Sequence, residues 1–169
     1  MAASTPVIRE ANSTDADAIA QLLYRSHTIS FAPFASIEWV ESRRLDEYRT
    51  KWQSTLEAAS KDDRTFVATI DGTLVGSVRV SPLESPEIEF DAQLSGMHVE
   101  PELTGHGVGG LLMRTALDFI RTRKFERVEL GVIASNDGSR RFYESHGWIL
   151  VRTLPDGIEG VPVAIYKLG

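Results

Sequence analysis

Four glycines in six positions, Gly105, Gly107, Gly109 and Gly110, separate an apolar run that ends near Val99 from an apolar-periodic run that begins at Val108. The spacing predicts a strand, a short turn opened by Pro101, a side-chain-poor loop, and an amphipathic helix entered directly from that loop. The first N–H groups of such a helix have no intrahelical partner, and glycines beside them let an anion approach the backbone closely. A phosphate or pyrophosphate is the occupant this chemistry suits, aided by the positive end of the helix macrodipole.

Two ligand classes use such a loop. Gly105-His106-Gly107-Val108-Gly109-Gly110 formally satisfies G-x-G-x-x-G, and Glu129 stands about 20 residues on, where a dinucleotide fold places its ribose-binding acid. Yet the glycines come after roughly a hundred residues of other structure and leave too little chain for the remaining strands of that fold. The segment from Leu130 to Trp148 separates the two. It contains Asn136, Ser139, Tyr143, Gly147 and Trp148. Together the two stretches resemble the GCN5-related N-acetyltransferase (GNAT) superfamily, whose loop reads R/Q-x-x-G-x-G/A and whose next motif reads roughly N-x-x-A-x-x-h-Y-x-x-x-G-F/W. Gly107, Gly109, Asn136, Tyr143, Gly147 and Trp148 match, while Thr104 stands in the Arg/Gln position and Ser139 in that of the small Ala.

The resemblance implies an α/β (α+β) chain, residues 1–169 forming a single domain with a mixed, mostly antiparallel central sheet and helices on both faces. It implies acetyl-CoA as cosubstrate, held by backbone near Met97, His98 and Val99, by the loop from Thr104 through Gly105, His106, Gly107, Val108, Gly109 and Gly110, and by Asn136 and Ser139. It implies that Tyr143, which also contacts the cofactor, protonates the departing thiolate. A phenol is protonated at neutral pH, and a positioned one is a competent acid. Gly96 in the strand suits a close backbone approach or a bulge.

For the base that frees the amine, relatives that acetylate protein N-termini commonly carry a glutamate five residues before the motif's Asn, a position held here by Gly131. Histone-type relatives carry one thirteen residues before the loop's Arg, a position held by Asp91. Asp91 leads, with Glu129 and Glu89 as neighbours able to act through water. The expected reaction is direct transfer to a primary amine in a ternary complex. An acyl-CoA sensor without turnover and a protein or peptide N-acetyltransferase are the alternatives.

Composition narrows the classes further. The 169 residues contain no cysteine, which excludes disulfides, thiolate zinc sites and an acetyl-cysteine intermediate. His27, His98, His106 and His146 show no ligand spacing, so no metal is expected, and His106 is expected to lie exposed on the loop. The N-terminus lacks the pattern of a signal peptide and no apolar run is long enough to span a membrane, so a cytoplasmic protein is expected. A net charge of −6 argues against nucleic acid as partner. Residues 61–103 alone sum to −6, whereas 104–169 sum to +2. That asymmetry predicts a small cationic amine as acceptor, drawn by the acidic segment. Self-association as a homodimer is left open.

The expected element order is β-α-α-β-β-β-α-β-α-β-β. It includes a helix after Ser13-Thr14-Asp15, a loop over Thr28 to Ala35, and one helical region from Ser36 past Leu56. A hairpin turns at Asp71-Gly72, a loop runs from Ser81 to Phe90, and a terminal hairpin turns around Asp156-Gly157.

Overall fold

The computed structural model describes residues 4–85 and 89–169. Seven strands form one sheet in the order β1-β2-β3-β4-β5-β7-β6: β1 (Val7–Glu10), β2 (Arg64–Ile70), β3 (Thr73–Pro82), β4 (Ala92–Val99), β5 (Val128–Ile133), β6 (Trp148–Ile158) and β7 (Val161–Leu168). All neighbouring strands pair antiparallel except β4 and β5. A doubly wound dinucleotide fold requires a mostly parallel sheet, so that competitor is removed.

The period-two pattern of β2 shows how the layers form. Phe66 and Ala68 join the core built on α4 (Val108–Arg123), with Val78, Val80, Leu112, Met113, Ala116 and Ile120. Val67, between them, faces the other way and packs with Ile19, Leu22 and Leu23 of α1 (Ala16–Arg25) and Trp52 and Leu56 of α3 (Leu45–Glu57). The expected layering is therefore present. Leu112 is fully enclosed. Leu112→Ala should cost about 2–5 kcal/mol, read as a lower urea midpoint at unchanged m-value. A midpoint within error of the parent would contradict this packing.

Four local expectations are corrected. The helix expected after Ser13-Thr14-Asp15 starts earlier, in a turn over those three residues that is capped by Asn12. The Asn12 Oδ1 accepts from the Thr14 amide at 3.0 Å, while Asp15 Oδ2 accepts from the Asn12 amide at 2.8 Å. The helical region after Ser36 is two helices, α2 (Ile37–Glu41) and α3. The break follows because the Ser42 hydroxyl and the Arg43 Nε both donate to the Trp39 carbonyl, occupying an acceptor the helix would need, and Arg44 is extended. Strand β3 continues through Ser81 and Pro82, which face Gln93 and Ala92; the proline bounds the strand and does not exclude it. Pro86 lies outside the described residues. Finally, β6 runs on past Asp156 and Gly157 through an irregularity between Leu154 and Ile158, and the chain turns at Glu159-Gly160, both with positive φ. Two such residues make the turn that matches strand twist.

Candidate functional site

Strands β4 and β5 pair at only two positions, Ala92 with Val128 and Gln93 with Glu129, and then part. Beyond them β4 stays paired to β3 through Val99, so its other edge is left open on the β5 side. A bulge intervenes: Ser77 faces His98 and Arg79 faces Ser95, so Gly96 and Met97 together oppose Val78. Gly96 takes φ +59, and a Cβ there would stand 3.3 Å from the Trp52 ring. The Ser77 hydroxyl donates to the Gly96 carbonyl at 2.7 Å. One inserted residue reverses the side-chain parity that follows. Leu94, before the bulge, and Met97 and Val99, after it, all pack on the α4 side, which gives His98 to the opposite face.

The gap between the strands opens into a cavity of about 600 Å³. One end is lined by Thr104, Gly105, Gly107, Gly109 and Gly110 at the start of α4, with Met97 and Val99 beside them. Gly107 is the N-cap residue, at φ +88, and no side chain caps the helix. The first helical N–H to find a carbonyl is that of Leu111, bonded to Gly107 O at 3.2 Å. The amides of Val108, Gly109 and Gly110 thus precede the hydrogen-bonded part of the helix. A Cβ on Gly107 would meet nothing within 4 Å, so the space beside this terminus is open. An uncapped helix start with open space before it suits the pyrophosphate of a coenzyme A.

Helix α5 (Asp137–Ser145) forms another wall through Gly138, Ser139, Phe142 and Tyr143, together with Asn136 and His146. Asn136 caps it, its Oδ1 accepting from the Ser139 amide at 3.2 Å, which leaves the side-chain NH₂ as donor. Arg140 anchors the helix to the sheet. Its Nε donates to the Tyr166 hydroxyl at 2.8 Å and its Nη1 to Ala134 O at 2.9 Å, and the Tyr166 hydroxyl donates to Glu144 at 2.7 Å. Tyr143 is 9% exposed, and burial pushes its phenol up to about 12.

The rest of the lining includes Ser26, Ser30, Phe31, Phe34 and His98. The chain reaches it because α1 ends in a π-helical turn, Ser26–Ser30, closed by the Phe31 amide on Ser26 O at 2.9 Å; the loop expected from Thr28 begins inside this turn. π-turns concentrate at functional sites. The His98 Nδ1 lies 2.7 Å from the Ser26 hydroxyl, and its ring contacts Phe31 and His27 at centroid distances of 5.6 and 5.1 Å. The His27 Nδ1 lies 2.6 Å from the Tyr48 hydroxyl, with Trp39 also against its ring. Burial holds His98 down at about 3, helped by His27, and holds His27 down at about 4, helped by Arg43 and Lys51. Both imidazoles are neutral at pH 7.

This makes stability depend on pH. Below about 6.5 the unfolded chain takes up two protons that the folded chain refuses, so the contribution is complete above that pH and is lost as pH falls toward 4 and 3. Each unit in that window costs about 1.4 kcal/mol per histidine. Urea unfolding should show lower stability at pH 5 than at pH 7.5, with a shallower slope for His27→Gln. A flat profile would contradict the burial of this pair.

Not every candidate from the sequence is brought to the cavity. Val108 is buried in the core behind the loop and His106 is exposed outside the lining. Asp91, one residue before β4, sits at the opposite end of that strand from Met97–Val99. Its carboxylate accepts from the amides of Glu126 and Arg127 at 3.2 and 3.1 Å, an anchoring role at the strand entry. Glu129 pairs with Gln93 where β4 and β5 still touch, and burial raises its carboxyl beside Glu89, opposed by Arg152. Neither lines the cavity, and no carboxylate does among the described residues. Four acids of the acidic segment are held in ion pairs: Asp63 with Arg79, Asp62 with Arg123, Glu89 with Arg152, Glu100 with Arg25. What the sequence missed includes Ser26, Ser30, Phe142, His146 and the His98 side chain. The His98 imidazole could be recognised only after the bulge at Gly96 was known, since strict alternation puts it on the wrong face.

Comparison with known proteins agrees with this geometry. An uncharacterized N-acetyltransferase of Methanocaldococcus jannaschii is 25% identical over 149 residues, 85% of this chain and 61% of that protein. An uncharacterized N-acetyltransferase of Archaeoglobus fulgidus is 31% identical over 144 residues, 82% of this chain and 89% of that protein. The PaiA N-acetyltransferase of Thermoplasma acidophilum, solved in complex with coenzyme A, shares the fold at a TM-score of 0.77 and 20% identity, over 96% of this chain and 99% of that one. The model of the Acetyltransferase (GNAT) family matches residues 19–148, and with the diverging strands and uncapped glycine loop already in place, the chain belongs to that family.

Proposed function

We propose that this chain is an acetyl-CoA-dependent N-acetyltransferase that transfers the acetyl group directly to a small primary amine held with the cofactor in a ternary complex. One observation carries the reading: a single cavity at the β4–β5 gap joins the uncapped start of α4, the Tyr143 phenol and a wall of rings and hydroxyls on the other face of the sheet. Each substrate then has its own end, and the reacting atoms meet between the strands.

Bound acetyl-CoA supplies an activated acyl carbon and a thiolate leaving group. The glycine loop, Gly105 to Gly110, and the first amides of α4 bind its pyrophosphate, and Asn136 donates from its amide while Ser139 lies one turn on. The open edge of β4 from Met97 to Val99 offers backbone groups to the extended arm. Tyr143 holds a proton near the departing sulfur and stays neutral across the working range. Thr104 lines the cavity without bringing a charge to the loop, so the backbone does most of the binding there.

For the acceptor, a cationic amine drawn by acidic residues finds no carboxylate in the described lining. The supported form of the reading is an amine selected by Phe31, Phe34, Ser26 and Ser30 and bound as its free base. CoA release should be measured with arylalkylamines, polyamines, lysine peptides and amino acids at low and high salt. We expect an apolar-bodied amine to be preferred, with kcat/KM nearly unchanged by salt. A steep fall with salt would restore acidic selection. Tight acetyl-CoA binding with no CoA release from any amine would replace catalysis by a sensor role, and preference for peptide N-termini would mark a protein acetyltransferase.

Self-association as a homodimer stays open in this reading. The outermost strand, β6, exposes Ile149, Leu150 and Leu154, and light scattering that gives a monomer mass at working concentration would remove it.

A further inference from the structure

We propose that His98 is the proton acceptor for the amine, a catalytic residue positioned by Ser26. The inference rests on the N-acetyltransferase reading and assigns the one step that the expected carboxylates, Asp91 and Glu129, are too far along their strands to perform.

Three observations converge on it. His98 and Ser26 both line the cavity, His98 from the face of the sheet opposite the α4 core, where the acceptor would lie. Its Nδ1 is engaged by the Ser26 hydroxyl at 2.7 Å, and Ser26 is itself 4% exposed and fixed in the π-turn, so the ring is held with Nε2 as the nitrogen left for a substrate. The bulge at Gly96 is what turns this side chain to the acceptor face, and the bulge is held in place by the Ser77 hydroxyl and the Trp52 ring.

The chemistry balances with the groups present. The amine nitrogen bonds to the acyl carbon as the carbon–sulfur bond breaks. One N–H proton passes to His98 Nε2, and the sulfur leaves with the Tyr143 phenol proton. His98 then returns its proton to solvent and Tyr143 regains one from solvent, so the cycle is neutral. A nitrogen already bonded to the acyl carbon is far more acidic than a free ammonium, which lowers the basicity that the imidazole must supply. The groups around the ring are His27 from the π-turn, itself bonded to Tyr48 of α3 and facing Arg43 and Lys51. None is an anion that would convert His98 to imidazolium before the amine arrives.

The test has a readout independent of turnover. For Nε2 to accept, Nδ1 must carry the hydrogen and donate it to Ser26. Nitrogen-15 NMR of the free protein between pH 6 and 8 should therefore show a neutral His98 in the Nδ1–H form, and Ser26→Ala should shift that population. A dominant Nε2–H form, or an imidazolium, overturns the proposal whatever the activity. In kinetics, His98→Gln should lower kcat about 10²-fold while the acetyl-CoA Kd stays within about twofold, the size expected for loss of a general base. His98→Ala should be partly rescued by added imidazole, which a purely structural role would not show. Wild-type-like kcat in His98→Gln would overturn the assignment alone, whereas a wild-type protein that never releases CoA would overturn the transferase reading itself. If His98→Gln fails to fold, Ser26→Ala decides: a fall in kcat at unchanged acetyl-CoA Kd supports the pair, and an unchanged kcat refutes it.

Discussion

Tyr143→Phe should bind acetyl-CoA as the parent does and turn over about 10²-fold more slowly, the loss typical of removing a positioned general acid. The argument is local. The ring of Tyr143 is enclosed by α5 and the sheet and packs edge-on against Phe142 at 5.5 Å, and phenylalanine keeps every one of those contacts. Only the hydroxyl goes. Burial keeps that hydroxyl protonated up to about pH 12, so in the parent it is a donor at every usable pH and its removal cannot be masked by titration. Single-turnover CoA release isolates the step. A rate equal to the parent's there would take Tyr143 out of the mechanism, and a raised acetyl-CoA Kd with unchanged chemistry would make it a binding residue only.

The parts of the site that were legible in the sequence are those in which backbone chemistry is written directly into residue type. Gly107 and Gly109 announce a place where side chains must be absent, and Asn136 is a residue type favoured at a helix start, where the structure has it as the cap of α5. Tyr143 follows at helical spacing on the same face. The sheet was legible for the same reason, since Phe66, Val67 and Ala68 each belong to a definite face once alternation is assumed. What escaped was everything that depends on a local departure from periodicity. A bulge at Gly96 reverses the face of His98, a π-turn at Ser26–Ser30 replaces a loop, and Ser42 and Arg43 divide one helix in two. The first two are each accompanied by a tertiary contact, Trp52 on Gly96 and His98 on Ser26, that no short window contains. The acidic segment shows the same limit of a short window: Asp62 is answered by Arg123, far away in sequence.

The loop allows a test in which occlusion and strain are separated. Gly107→Val puts a β-branched residue at φ +88, where only glycine is comfortable, so it should both destabilise the protein and block the cavity. Gly110 is different. It lies in the first turn of α4, lines the cavity, and a Cβ there would meet only the His146 ring nitrogen at 3.9 Å. Helical backbone accepts valine at that position at no φ penalty, and glycine is the poorer helix former. Gly110→Val should therefore keep or slightly raise thermal stability while placing two methyl groups beside the amides of Val108 and Gly109. If those amides bind pyrophosphate, disturbing two charge-assisted hydrogen bonds costs about 3 kcal/mol, which is about a 10²-fold rise in the acetyl-CoA Kd. Calorimetry on both variants reads the two effects apart. Weak binding in Gly107→Val with parental binding in Gly110→Val would trace the loss to a distorted loop and not to a blocked anion site, whereas weak binding in a fully stable Gly110→Val leaves the open start of α4 as its cause.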